Sequence, residues 1–211
     1  MQRTLLLAFL SLAALFPGSG RAQNIMVNAG FENGDFSGWQ GIWNYGEPPN
    51  FENWWQITSS NVHTGHFAAE LTVDGGYQQT VGITAGQTYN FSGATFVPSG
   101  GDPSGWSTYV RLDFLNSTGQ VVGSSYSVAA NLKPRDQWNT FSTSLLAPTG
   151  SIQARVQMAT SANFTVNPAA PVAFDSFSLS LASVPEPGSV ALWILGTLGL
   201  AGADRRRVNR P

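Results

Sequence analysis

Aromatic residues set among polar neighbours are the side chains of this sequence with the most evident chemistry. Between Gly41 and Gln56 the chain places Trp43, Tyr45, Phe51, Trp54 and Trp55 among asparagines, glutamates and a glutamine. A sugar ring presents apolar C–H faces edged by hydroxyls, so a flat aromatic with a few amide or carboxylate partners matches it, and ligand sites in general share that mixture. Trp43, Tyr45, Trp54, Trp55, Trp106 and Arg111 are therefore the candidate ligand-binding residues, with Tyr109 lining the same cleft and Asn44, Glu52 and Gln56 as further hydrogen-bonding partners. The competing reading is that these aromatics cap a core. Trp54 and Trp55 are neighbours, so in a strand they point to opposite faces, which predicts one in the core and one exposed.

Hydrolysis of a glycoside would need two carboxyl groups about 5–9.5 Å apart. Glu47, Glu52, Glu70, Asp113 and Asp136 are acids of the right type, but none lies in a recognisable catalytic motif, and in a sandwich such acids belong on solvated faces. There is no Gly-x-Ser-x-Gly elbow, phosphate-cradling loop or zinc-binding helix, and the expectation is a protein that is not an enzyme. The two histidines, His63 and His66, flank Gly65. That spacing reads as a turn rather than a transition-metal pair, which needs converging rings and a third ligand.

The elements that must carry these residues are strands. Short alternating runs, rich in β-branched and aromatic residues, occupy 54–58, 67–73, 77–83, 87–97, 107–116, 120–128, 139–146, 151–160 and 172–181. Between them fall Asp74-Gly75-Gly76, Ala85-Gly86, Ser117-Thr118-Gly119 and Pro148-Thr149-Gly150, the turn chemistry of antiparallel strands. In Tyr109–Leu115, period two puts Val110, Leu112 and Phe114 on one face and Tyr109, Arg111, Asp113 and Leu115 on the other, a half-buried strand. Many short strands at this spacing predict an all-β sandwich or barrel.

Both ends of the chain stand outside that pattern. Arg3, the apolar run Leu5–Phe16 and the small residues around Ala22 form a secretory signal peptide over 1–22. At the other end come Pro185-Glu186-Pro187, an uncharged apolar stretch 189–203, and then Arg205, Arg206 and Arg207. As a helix that stretch spans about 22 Å, short of the ~30 Å hydrocarbon core, and its arginines stay on the cytoplasmic side. The order of motifs over 184–211 resembles the tripartite sorting signal of bacterial PEP-CTERM proteins. The resemblance implies a transient membrane anchor by the C-terminal apolar helix and removal by a membrane protease of the exosortase type. The competing reading is a permanent anchor.

What lies between, 23–183, is about 160 residues and fits one domain. It holds ten carboxylates against four cationic side chains, Arg111, Lys133, Arg135 and Arg155, a formal charge of −6, whereas the whole chain is formally −2. Nucleic-acid binding needs clustered Lys and Arg and is excluded as a function class. Without cysteine there are no disulfides or thiolate metal sites.

Motifs in order through this body resemble carbohydrate-binding modules of the family-four and family-nine type: Asn28-Ala-Gly-Phe-Glu-Asn-Gly34 with Phe36-Ser-Gly-Trp39, Val62–Ala69, Gln78–Val81, Ala85–Ser92, Trp138–Phe141 and Val172–Leu179. The resemblance implies a galactose-binding-like jelly-roll β-sandwich. It also implies a structural Ca²⁺ tying the first loop to the last strand, with Glu32 and Asp175 as carboxylate ligands and Gly30 as a carbonyl donor. The His63–Gly65 turn is a weaker donor. Ca²⁺ takes six to eight oxygens, so carbonyls would complete a shell that carboxylates begin. Where such modules often carry a second acid after the aspartate, this chain has Ser176. The alternative is that Glu32 and Asp175 only accept hydrogen bonds from loop amides.

Three functional readings follow. The first is a surface or matrix module binding extracellular polysaccharide. The second is a structural envelope or biofilm-matrix protein without a defined sugar site, and the third is a polysaccharide-acting enzyme.

Overall fold

The computed structural model describes residues 22–42, 55–72, 75–99, 107–130, 133–161 and 171–182. The chain divides into two units, Met1–Leu181 and Ala182–Pro211. The signal peptide, apart from Ala22, and the sorting-signal residues Pro185, Glu186, Pro187, Arg205, Arg206 and Arg207 lie outside the described residues. No helix among the described residues is long and apolar enough to cross a membrane.

The alternating runs form a two-sheet antiparallel jelly-roll sandwich. Its strands are β1 (Gln40–Ile42), β2 (Trp55–Thr58), β3 (Ala68–Leu71), β4 (Gly75–Gly82), β5 (Thr88–Phe96), β6 (Ser107–Leu115), β7 (Tyr126–Ala129), β8 (Trp138–Leu146), β9 (Gln153–Ser161) and β10 (Val172–Leu181). One sheet has the order β2-β3-β10-β5-β8 and the other β1-β4-β9-β6-β7. Val110, Leu112, Val156 and Met158 from the second sheet meet Leu71, Phe91, Val172, Phe174 and Leu179 from the first in a shared, fully buried core. Each large side chain so buried contributes roughly 1.5–3 kcal/mol, which is how a domain without disulfides holds together.

The N-terminal segment is stitched on by side chains that act like strand backbone. The Asn24 amide donates to Phe177 O at 3.0 Å while its oxygen accepts from Leu179 N at 3.0 Å. The Gln79 side chain, buried in the second sheet, makes the same two-way clamp on Val27, at 2.7 and 2.8 Å. The loop that follows closes on an aromatic cluster: Phe31 stacks on Trp39 with centroids 5.3 Å apart, and both meet Phe177.

Two strands differ from expectation. β1 is too short to show a period. The run 120–128 pairs only at the bridge Leu115↔Val121 before the chain turns at Gly123 (φ 75°), and β7 begins at Tyr126. A one-residue bulge interrupts β10 between Asp175 and Ser178, with Ser176 at φ 56°. It lets Asp175 and Ser178 both face away from the core while Phe177 turns into it.

Candidate functional site

The outward face of the second sheet carries its side chains in rows, because directly opposed residues of antiparallel strands share a face. One row runs Gln40, Gln78, Gln157, Arg111 and Ser127 across β1, β4, β9, β6 and β7. Its glutamines are chained: Gln157 Nε2 donates to Gln78 Oε1 at 3.1 Å, and Gln78 Nε2 donates to Gln40 Oε1 at 3.2 Å. A primary amide offers two donors and two acceptor positions, so each keeps capacity for a further partner such as a sugar hydroxyl.

The neighbouring row runs Ile42, Gly76, Ala159, Tyr109 and Ala129. Tyr109, half-buried, therefore has side chains no larger than a methyl group on both sides. Glycine is required at Gly76: a Cβ there would lie 2.0 Å from Met158 O, so β4 and β9 approach more closely than any other residue permits. On the other side of the glutamine row stand Thr80, Arg155 and Asp113.

Asp113 is the anchor of this face. It is an outward residue of β6, yet it is 0% exposed, because Arg111, Arg155 and Ser125 cover it. Arg111 Nε donates to Oδ1 at 2.7 Å and Arg155 Nη2 to Oδ2 at 2.7 Å; the Ser125 hydroxyl also donates to Oδ1 and in turn accepts from Arg111 Nη2 at 3.0 Å. Burial pushes the acid upward, but the bonds from Ser125, Arg155 and Arg111, with the Arg111 charge, outweigh it and hold the carboxyl below the usual range. The expectation of a solvated acid at Asp113 is corrected. A carboxylate clamped between two guanidiniums, its pKa held low, is ionised at neutral pH and acts as a positioning group rather than a general acid.

The sequence-predicted ligand residues divide. Arg111 stands on this face beside Tyr109. Trp55 does not: it is 9% exposed, packs edge-on to Tyr77 at 5.1 Å, and belongs to the core, which removes it as a sugar platform. Gln56 is also misplaced by the sequence reading, for it lies on β2 in the other sheet and donates to Glu70 at 2.9 Å. Trp43, Tyr45, Trp54 and Trp106 lie outside the described residues, as do Asn44 and Glu52. Ile42, the last residue of β1, belongs to the Tyr109 row, and Ser107 is the first residue of β6. Gln40, Gln78, Gln157 and Arg155 were missed. Gln78 and Gln157 alternate with core residues in their strands, a visible signal, but only the register aligns them.

The second cluster lies where the first loop meets β10. Asp175 Oδ2 accepts from His63 N at 2.9 Å and Thr64 N at 3.0 Å, and Oδ1 accepts from Ser176 N. Glu32 accepts from His66 N at 2.9 and 3.2 Å and from Phe67 N at 3.3 Å. A Cβ built on Gly30 would sit 3.6 Å from Asp175 Oδ1 and 3.8 Å from Glu32 Cγ, and one on Gly65 only 2.3 Å from Glu32 Oε1. Gly30, Glu32, the 63–66 turn and Asp175 thus converge on one corner, held by Phe31 in the left-handed region (φ 60°) although its ring is fully buried. His63 Nδ1 bonds Ser176 Oγ at 2.9 Å and leaves the corner's two acids to the backbone.

Burial pushes the Asp175 carboxyl above its usual range, against the pull of the Thr64, Ser176 and His63 amides. The ion pairs among the described residues both belong to Asp113, so Asp175, at 0% exposure, has no Lys or Arg to balance it. Both acids accept hydrogen bonds from loop amides, as the alternative reading has it. Among the described residues no three metal-ligating side chains converge, so backbone carbonyls would have to supply most of a Ca²⁺ shell.

No protein-family model matches the sequence, and no curated protein matches it. Solved structures do match. The enzymatically active domain of tailspike protein 4 of bacteriophage CBA120 is 14% identical over 75% of this chain and 21% of its own, with a TM-score of 0.58. The chain thus spans about a fifth of that protein. The carbohydrate-binding module TmCBM61, solved with β-1,4-galactotriose, is 20% identical over 76% of this chain and all of its own, with a TM-score of 0.51. A second module of carbohydrate-binding family 16 is 15% identical over 74% of this chain and 99% of its own, at 0.51. At such identities the likeness is one of fold alone, a jelly-roll β-sandwich.

Proposed function

We propose that this domain binds polysaccharide on the outward face of the β1-β4-β9-β6-β7 sheet. The observation that carries the reading is the glutamine row Gln40–Gln78–Gln157 running into Arg111, with Tyr109 beside it between small residues. A ring placed on Tyr109 has amides and a guanidinium in reach for its hydroxyls, the combination by which sugars are held. The fold is the one on which TmCBM61 was solved with a galactotriose.

The terminal segments supply the setting in this proposal. The chain is exported, held briefly by its C-terminal helix, released by an exosortase-type protease, and left at the cell surface or in a biofilm matrix, where the ligand is exopolysaccharide. Ca²⁺ is a structural ion of the same proposal, held by Glu32, Asp175 and the Gly30 carbonyl. Bound there it supplies positive charge and a crosslink between the first loop and β10, in place of disulfides.

Affinity electrophoresis of the full-length chain through gels of different polysaccharides tests the binding. Retardation by at least one, reversed by the free glycan, is expected; no retardation by any of a broad panel removes the reading. The alternative, a structural matrix protein, draws on β8. It is an outer strand of nine residues with no charged side chain, paired among the described residues only with β5. Such an edge is open to a second strand. Concentration-dependent association in sedimentation, without sugar binding, favours that alternative.

A further inference from the structure

The charges of the proposed sugar face differ in sign from those of the domain. Outward positions of its described strands hold three charged residues, Arg111, Arg155 and Asp113, a surplus of one positive charge. The body 23–183 carries ten acids against four bases. Two of those four cations are therefore placed side by side on one face, where a single guanidinium would already neutralise Asp113.

Their geometry is also prepared. Asp113 spreads the two guanidiniums by taking one on each oxygen, at 2.7 Å, and Ser125 holds Arg111 at a second nitrogen. Arg111 uses Nε and Nη2, and Arg155 uses Nη2, so among the described residues neither Nη1 has a protein acceptor. The side chains are 39% and 25% exposed. Planar donor forks fixed by a buried carboxylate, with N–H groups left over, suit an incoming carboxylate better than a neutral hydroxyl, because charge-assisted bonds are shorter and roughly twice as strong. Tyr109 lies two residues before Arg111 on the same strand and face, about 7 Å away. A sugar on the ring and an acidic group on the guanidiniums are thus reachable by one chain of glycan.

Long-range repulsion from the acidic body does not oppose this. At physiological ionic strength charges beyond about 8 Å are largely screened, so the local surplus governs binding.

We infer that the face selects an anionic glycan, one bearing carboxylates such as uronic acids, with Arg111 and Arg155 receiving the carboxylate beside the Tyr109 platform. The inference rests on the reading of this face as a sugar site. The experiment titrates the full-length chain with polygalacturonate, alginate and hyaluronate, and with the same polymers after their carboxyl groups are reduced to alcohols.

For at least one polymer the acidic form is expected to bind about tenfold more tightly than its reduced form at low salt. The advantage should shrink toward unity in 0.5 M salt. Arg111→Gln, which also loses a partner of the buried Asp113 and so melts lower, should at a temperature where it stays folded abolish the acid-to-neutral ratio while keeping its binding of the reduced polymer. Equal binding of both forms, or preference for the reduced form, overturns the inference and leaves the sugar site standing. Binding of neutral glycans alone in the wider panel does the same. No binding to any acidic or neutral polymer overturns both.

Discussion

Asp113 on β6 and Arg155 on β9 stand directly opposite each other, and Arg155 Nη2 donates to Asp113 Oδ2 at 2.7 Å on the outward face of the sheet. With Arg111 on the other oxygen, the carboxylate is sealed from solvent at a position where strand alternation calls for exposure. The pair ties the central strands of this sheet together and sets the arginines in place for a ligand.

Asp113→Asn should therefore destabilise the fold by about 2 kcal/mol at pH 7, less than a fully buried pair because both arginines are partly exposed. The sign with pH follows from the lowered folded pKa. The carboxylate's contribution is present above the unfolded value of about 3.9 and is lost as pH falls through the lower folded value. Urea unfolding at pH 7 and pH 3 should show the difference between wild type and variant shrinking at the lower pH. A constant difference would contradict the assignment.

Asp175 should behave in the opposite sense. Its folded pKa is raised by burial, so without metal the native state holds its proton more tightly than the unfolded chain, and protonation relieves a cost as pH falls. In EDTA, the stability of wild type relative to Asp175→Asn should rise as pH falls from 7 toward 4, because only the carboxyl titrates. In saturating Ca²⁺ wild type should melt about 5–10 °C higher than in EDTA, a shift absent in Asp175→Asn and Glu32→Gln. Identical melting with and without the ion, in a metal-stripped sample, counts against the calcium proposal.

Trp55 and Tyr109 separate core from site. Trp55→Ala opens a cavity beside Tyr77 and should cost about 3–5 kcal/mol. Tyr109→Ala should leave the melting temperature within a few degrees while weakening glycan binding about tenfold or more. A destabilised Tyr109 variant that binds normally would reverse these roles.

Gly76 has a structural requirement with a functional consequence. Gly76→Ala would press a methyl group against Met158 O, and β4 must move from β9 to accept it. The Gln78–Gln157 bond spans those two strands, so binding and stability should fall together. Crystals of a stable variant with the row intact would show that the close approach is dispensable.

The strands were legible in the sequence wherever alternation was long. Ser107–Leu115 and Val172–Leu181 fall where the pattern put them, because one apolar face per strand is enough to define it. β1 offered only Gln40-Gly41-Ile42, too short for a period. The site was less legible, since a row such as Gln40–Gln78–Gln157–Arg111 joins four separated segments and exists only once the register is set. Asp113 read as solvated for the same reason: beside Arg111 its cover comes from Ser125 and Arg155, twelve and forty-two positions away. Trp55 and Trp54 could not be told apart by type, and the pairing of Trp55 with Leu71 turns Trp55 inward. The resemblance implied that Gly30, Glu32 and Asp175 act together on an ion; the fold sets them at one corner, where both carboxylates accept from loop amides.

The most direct measurement of the central claim compares variants on the two outward faces in affinity gels of the polysaccharide that retards the wild type. Tyr109→Ala and Gln157→Ala, on the β1-β4-β9-β6-β7 sheet, should migrate as if no glycan were present. Thr140→Ala, exposed on β8 of the other sheet, should be retarded like wild type. Retardation kept by Tyr109→Ala and Gln157→Ala together, or lost with Thr140→Ala alone, would contradict the assignment of the sugar site to this face.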